Sequence, residues 1–182
     1  VSSIENDLKK IIRKRPPVLE ILLHAIALGE FTMPQLAEEC GNVKTAVVRR
    51  YSRYLMKMNI IYRKAEGIYA LNEFLKDQIE KFVKNMGIIA HTRKYLLING
   101  GQYYTLIVNR RKGFAVKTID KKVITVIIKN ADTLPRWFSV RHVYEKLKIP
   151  IKLASLALRV MFIMGILERS TIDGMKVYKF KK

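Results

Sequence analysis

Cysteine, tryptophan, glutamine and acidic residues are all in short supply in this chain. Its 182 residues include one Cys, one Trp, three Gln and 15 Asp plus Glu, set against 35 Lys plus Arg. The single Cys40 can form no internal disulfide, and with only three histidines the sequence offers no Cys/His cluster for a structural zinc, which excludes zinc fingers. No apolar run approaches the roughly 18 residues of a membrane-spanning helix. The opening VSSIENDLKK is polar and amphipathic, without the apolar stretch of a signal peptide, so a cytoplasmic, nucleoid-associated protein with no membrane attachment is expected. Catalytic machinery is equally scarce: there is no Gly-rich phosphate loop, no His/Glu metal motif and no Gly-x-Ser-x-Gly elbow. Glu38 with Glu39, and Glu73 with Asp77 and Glu80, are the only groups of carboxylates, and ordinary helical surface charge explains them. Neither an enzyme nor a cofactor or metal is expected.

What the chain does have is positive charge and enough apolar residues for a core. The formal net charge is +20, yet 49% of the residues are hydrophobic, so this is no disordered basic tail. Like charge on this scale repels itself in a compact state and is best tolerated where a polyanion neutralises it. Nucleic acid is the first such polyanion. An anionic membrane ranks last, because the short basic N-terminal stretch has only Ile4, Leu8, Ile11 and Ile12 as apolar anchors. The excess charge is spread along the chain, at +5 over residues 1–72, +6 over 73–118 and +9 over 119–182, which favours a long footprint.

Periodicity sets the organisation. Residues 1–16 form a helical arm ended by Pro16 and Pro17, and VLEILLHAIALG after them reads as a core helix closing at Gly29. Thr32 is a good N-cap for a short helix from Met33 to Cys40. Asn42 is expected to cap a longer one, VKTAVVRRYSRYLMKMN, whose buried stripe is Val47, Tyr51, Tyr54, Leu55 and Met58. Two strands, Ile60 to Lys64 and Ile68 to Leu71, then turn at Glu66 and Gly67.

The run FTMPQLAEECGNVKTAVVRRYSRYLMKMNII, a capped short helix, a Gly turn, a basic helix and an aliphatic strand leading to a Gly-tipped hairpin, resembles the winged helix-turn-helix family of DNA-binding domains over residues 17–72. The resemblance implies that the third helix enters the major groove and that the wing touches backbone or minor groove. The pattern repeats. Phe138 to Phe180 can be laid under Phe31 to Leu71 at an offset of 106 to 107, with Ser139 under Thr32 and Gly174 under Gly67. Lys121 to Lys129 fills the first-helix slot, although its β-branched residues suit a strand equally well. The expected fold class is therefore α+β: two winged helix-turn-helix domains, 17–72 and 119–182, in a tandem arrangement of archaeal type. Residues 73–118 join them as an ordered segment, a helix carrying Phe74, Leu75, Ile79, Phe82 and Val83 on one side and then three strands turning at residues 99–101 and 110–113.

The expected DNA contacts follow from the charge on this frame. In the first domain they are Lys44, Thr45, Arg49, Arg50, Ser52, Arg53 and Lys57 on the third helix, and Arg63 and Lys64 on the wing. Arginine pairs bidentately with guanine in the major groove, so Arg49 and Arg53 are the sharpest candidates. The basic turn Arg110, Arg111, Lys112 adds a phosphate or minor-groove contact. In the second domain Lys152, Ser155, Arg159, Lys176 and Lys179 are candidates, but its third helix, PIKLASLALRVMFIMG, is apolar nearly all round. That helix suits burial, or contact with a second copy or another protein.

The expected function is non-enzymatic binding of double-stranded DNA, in transcription regulation, replication or partition, or chromosome architecture. Two other readings stay open: a winged-helix assembly module inside a replication or transcription complex, and binding of single-stranded DNA or RNA through Tyr95, Tyr103 and Tyr104 of the middle sheet.

Overall fold

A computed structural model describes residues 3–182; residues 1 and 2 of the expected arm lie outside the described residues. The architecture is α+β, as the periodicity implies. The chain forms two compact units. The first contains the chain up to Leu96 together with Ile107–Lys117, and the second contains Leu97–Leu106 and Thr118–Lys182. The helical arm belongs to the first unit, and the segment 73–118, expected as a linker, is divided between the two.

In the first unit, α1 (Ser3–Lys14) buries Leu8 and Ile12 and meets α2 (Pro17–Leu28). Pro17 opens α2, where its missing N–H costs no hydrogen bond, and Gly29 ends it at φ 71° with its N–H on the Ala25 carbonyl. Val18, Leu19, Ile21, Leu22 and Ala25 of α2 are fully buried, which makes this helix the centre of the core. Strand β1 (Glu30–Phe31) leads to Thr32, whose hydroxyl accepts from the Gln35 N–H while the Gln35 side chain accepts from the Thr32 N–H. This reciprocal cap starts α3 (Met33–Glu39). Then come α4 (Thr45–Lys57), β2 (Ile61–Ala65) and β3 (Ile68–Leu71), and the sheet order is β1-β3-β2 with Phe31 opposite Tyr69.

Several local expectations need correction. Asn42 does not cap α4: it sits in the left-handed region at φ 62°, as asparagine tolerates, and Lys44 precedes the helix. The buried stripe of α4 is Val48, Ser52 and Leu55, with Val47, Tyr51, Tyr54 and Met58 only half-buried beside it. Ser52, expected on the solvent face, is fully buried because its hydroxyl donates to the Val48 carbonyl at 2.8 Å and needs no water. The helix expected from Phe74 begins instead with a 3-10 turn, Glu73–Leu75, before α5 (Lys76–Lys84). Phe74 is 99% exposed, while Ile79 and Phe82 are buried as expected.

Strand β4 (Ile88–His91), which the sequence pattern did not suggest, joins the three expected strands β5 (Tyr95–Gly100), β6 (Tyr103–Arg110) and β7 (Gly113–Asp120) in the order β4-β5-β6-β7. The second unit continues with α6 (Lys121–Lys129), a helix and not a strand, capped by the Asp120 carboxylate on the Lys122 N–H. It ends with α7 (Val140–Leu147), α8 (Ile151–Ile163) and the hairpin β8 (Leu167–Ile172) and β9 (Met175–Phe180).

The internal repeat is geometrical as well as textual. Ser139 and His142 make the same reciprocal cap on α7 that Thr32 and Gln35 make on α3. Phe138 bridges Tyr178 as Phe31 pairs with Tyr69. Positive φ recurs at matched turns, in Gly41 and Lys148, Asn59 and Gly165, Gly67 and Gly174. Both α4 and α8 run 13 residues, and each buried position of α4 is buried in α8 at an offset of 106: Val48 with Ala154, Ser52 with Leu158, Leu55 with Met161, while α8 also buries Ala157 and Val160.

Candidate nucleic-acid interface

With Val48, Ser52 and Leu55 turned into the core, the opposite side of α4 presents Ala46, Arg49, Arg50, Arg53 and Lys57, all exposed. Arg49, Arg53 and Lys57 follow one another at four-residue steps and so form a row along the helix, with Arg50 beside it. Ala46 keeps the N-terminal part of that face low, where a bulky side chain would hold a ligand off. Arg50 also lies 5.2 Å from the Tyr51 ring, which limits its swing.

The first turn of α4 carries no acidic residue. Its N-terminal N–H groups and the helix dipole therefore favour an anion there. Lys44 is exposed beside that end, and Thr45 is half-buried in the first turn. The Lys44 N–H donates to the Arg111 carbonyl at 2.9 Å. This bond brings the exposed turn Arg110, Arg111, Lys112 of the β6–β7 hairpin against the start of α4. The side of α4 next to it is closed by Phe114, whose ring meets Tyr51 edge-on at 5.5 Å. Arg15 closes off Tyr54 in the same way, 4.8 Å over its ring. The structure thus places Arg49, Arg53 and Lys57 in one row on α4 with Arg50 beside it, brings the basic turn 110–112 to Lys44 at the start of that helix, and removes Ser52 to the core.

The remaining candidates are placed differently. Arg63 and Lys64 are exposed on β2, and Lys64 is paired with Glu30 at 2.8 Å, which raises its pKa. In the second unit, Lys152 and Ser155 are exposed on α8, but Arg159 is half-buried. Lys176 is exposed on the β8–β9 hairpin, whereas Lys179 lies 3.1 Å from Glu168 and 4.9 Å over the Trp137 ring. The second unit also exposes apolar side chains around one groove: Tyr144 at 45%, Ile151 at 55% and Met175 at 53%. Of the middle-sheet tyrosines, Tyr103 is exposed, while Tyr95 and Tyr104 are half-buried and Tyr104 already holds Lys121 over its ring.

A second constellation, not foreseen from the sequence, lies inside the first unit. Glu20 on α2 is fully buried; its Oε1 accepts from Asn109 Nδ2 at 2.9 Å and lies 2.8 Å from His24 Nε2. His91 Nε2 lies 3.1 Å from Glu20 Oε2, in charge contact but without hydrogen-bond alignment, so Oε2 makes no hydrogen bond. Burial alone would raise the Glu20 pKa, but the hydrogen bonds of His24 and Asn109 and the close imidazole and charge of His91 outweigh it and hold the pKa at about 2. Cys40, also fully buried, closes the group: its Sγ, a Glu20 oxygen and a His24 nitrogen all lie within 4.8 Å of one another. Burial, and then the charges of Glu20 and Glu39, push the Cys40 thiol pKa far up. The sequence reading, which excluded a Cys/His cluster of the zinc-finger type, did not foresee this grouping of one Cys, one His and one Glu. Glu20 and His24, four apart in an otherwise apolar helix, are the one local signal, since Cys40, His91 and Asn109 reach the group from distant segments.

No protein-family model, curated protein or solved structure matches this chain.

Proposed function

We propose that the chain binds double-stranded DNA without catalysing a reaction, that its first unit is a winged helix-turn-helix domain reading the major groove with α4, and that its second unit is a divergent winged helix. The observation that carries this reading is the basic row of Arg49, Arg53 and Lys57, with Arg50 beside it, exposed on the outer side of α4, together with the basic turn 110–112 bonded to Lys44 just before that helix. A helix about 10–12 Å across fits the roughly 12 Å major groove, and arginines along its outer side reach base edges while the flanking cations reach phosphates. The net charge of +20 adds sequence-independent affinity that falls steeply with salt. Transcription regulation, replication or partition, and chromosome architecture all require such binding.

Anisotropy titrations on random duplex, single-stranded DNA and RNA across a salt series test the proposal. Preference for duplex, with affinity lost on replacing Arg49 and Arg53 by Ala, is the expected result. Equal binding to all three polymers, unaffected by those replacements, would remove α4 as the reader. The apolar groove by Tyr144, Ile151 and Met175 supports the second reading, an assembly surface for another copy or another protein. Sedimentation of the wild type beside Ile151→Asp distinguishes self-association from a monomer.

A further inference from the structure

We propose that Glu20, His24 and Cys40 bind one zinc-class transition-metal ion inside the first unit, with His91 and Asn109 as outer partners that hold the Glu20 carboxylate. The chain contains a single cysteine and three histidines, and that cysteine and two of the histidines converge on one buried carboxylate. This convergence draws on separate parts of the chain: Glu20 and His24 come from α2, Cys40 follows α3, His91 ends β4 and Asn109 lies on β6.

The geometry is close to that of a tetrahedral site. Metal–ligand bonds of about 2.0–2.3 Å at tetrahedral angles put neighbouring donor atoms roughly 3.3–3.6 Å apart. The three donors here lie within 4.8 Å of one another, so the widest separation closes by at most about 1.2–1.5 Å. The 2.8 Å contact between Glu20 and His24 opens by about half an ångström as its hydrogen bond gives way to two metal bonds. Side-chain adjustment covers both shifts.

The donor chemistry selects the ion class. One carboxylate oxygen, one imidazole nitrogen and one thiolate sulfur suit zinc and its neighbours, whereas calcium and magnesium demand shells of oxygen. Three protein ligands leave a fourth position for water. The outer shell is built as well. Asn109 Nδ2 donates both to Glu20 Oε1 at 2.9 Å and to the Arg93 carbonyl at 2.8 Å, and His91 stands 3.1 Å from Oε2. Ligating carboxylates are held in place by partners of this kind.

The independent pointer to a ligand is Glu20 Oε2. It is a carboxylate oxygen on a fully buried side chain, and among the described residues it accepts no hydrogen bond. Asn109 and His24 engage Oε1, whereas Oε2 has the 3.1 Å contact with His91 and accepts no aligned hydrogen bond among the described residues, an incomplete set of partners that a bound cation would complete. Bound there, the ion would tie α2 to the end of α3.

The test uses the full chain, stripped with a chelator and then titrated with Co2+ and Zn2+ without nucleic acid, so its outcome is separate from that of the DNA reading. One Co2+ per chain with tetrahedral visible bands and a thiolate charge-transfer band is expected, with displacement by Zn2+ and a rise in the melting temperature. Cys40→Ser should abolish the charge-transfer band, and His91→Ala should keep it while weakening affinity about 10–100-fold. Because these core substitutions can impair folding, zinc-edge X-ray absorption of the wild type reads the donor set directly, and one sulfur with nitrogen and oxygen neighbours is expected. Binding below one ion per chain, a Co2+ spectrum without the thiolate band, or a zinc shell without sulfur would overturn the site.

Discussion

Helices α4 and α8 are the same helix on the inside and different helices on the outside. Both run 13 residues, both follow a capped short helix, and both bury the residues at the same three matched positions. The inner set Val48, Ser52, Leu55 becomes Ala154, Leu158, Met161, and Leu158 fills apolar space where the Ser52 hydroxyl satisfies itself on its own helix. On the outer side, Arg49, Arg50, Arg53 and Lys57 become Ser155, Leu156, Arg159 and Ile163. The scaffold is set by the inner face, where packing tolerates few changes, and any ligand is chosen by the outer face, where packing is indifferent. The first helices differ in the reverse sense. Helix α2 buries Glu20 and His24, whereas the buried residues of α6 are Ile124 and Ile127.

Exchanging features between the two helices sharpens this contrast. The largest effect is expected from Arg49→Ala with Arg53→Ala: at about 1–3 kcal/mol for each base contact, duplex affinity should fall by roughly 30-fold or more, with a shallower salt dependence, in anisotropy titrations. Removing inner-face bulk comes next. Leu158→Ala should cost about 2–5 kcal/mol in urea melts, through lost burial and a cavity, while Ser52→Ala should stay within about 1 kcal/mol because it removes only a local back-bond. If the two changes cost the same, the inner faces do not pack as the repeat implies. The caps should behave alike: Thr32→Ala and Ser139→Ala should each lose about 1 kcal/mol, readable as a drop of roughly 2–4 °C in melting temperature. The smallest effect is expected from Ser155→Ala with Arg159→Ala, under about threefold on duplex affinity, since no continuous row of cations is lost. A larger fall there would make α8 a reader in its own right.

The legible parts of the sequence were those governed by local rules. Helical spacing with Thr32 and Ser139 as caps located α3 and α7, and Gly67 and Gly174 marked the two hairpin turns. The basic row on α4 was readable because charges three and four apart share a face wherever a helix forms. The errors came where one side chain had two ways to be satisfied. Ser52 reads as polar and outward but bonds its own helix, and Asn42 reads as a cap but takes a left-handed turn. Phe74 reads as core by spacing, yet the 3-10 turn at Glu73–Leu75 swings it into solvent. The cluster around Glu20 was illegible for another reason. Its members meet through tertiary packing of α2, the α3 end, β4 and β6, and no local pattern encodes such a meeting.

The joint between Lys44 and Arg111 runs from main chain to main chain. No side chain of the tip takes part in it, so the letters at 110–112 can be rewritten without loosening the attachment. The tip therefore behaves as an exchangeable cartridge on a fixed mount: its charge and length of reach can drift while the neighbouring helix stays as it is. Variation at these three positions would retune what the face grips without re-founding the fold, and a library randomised there should return mostly folded proteins.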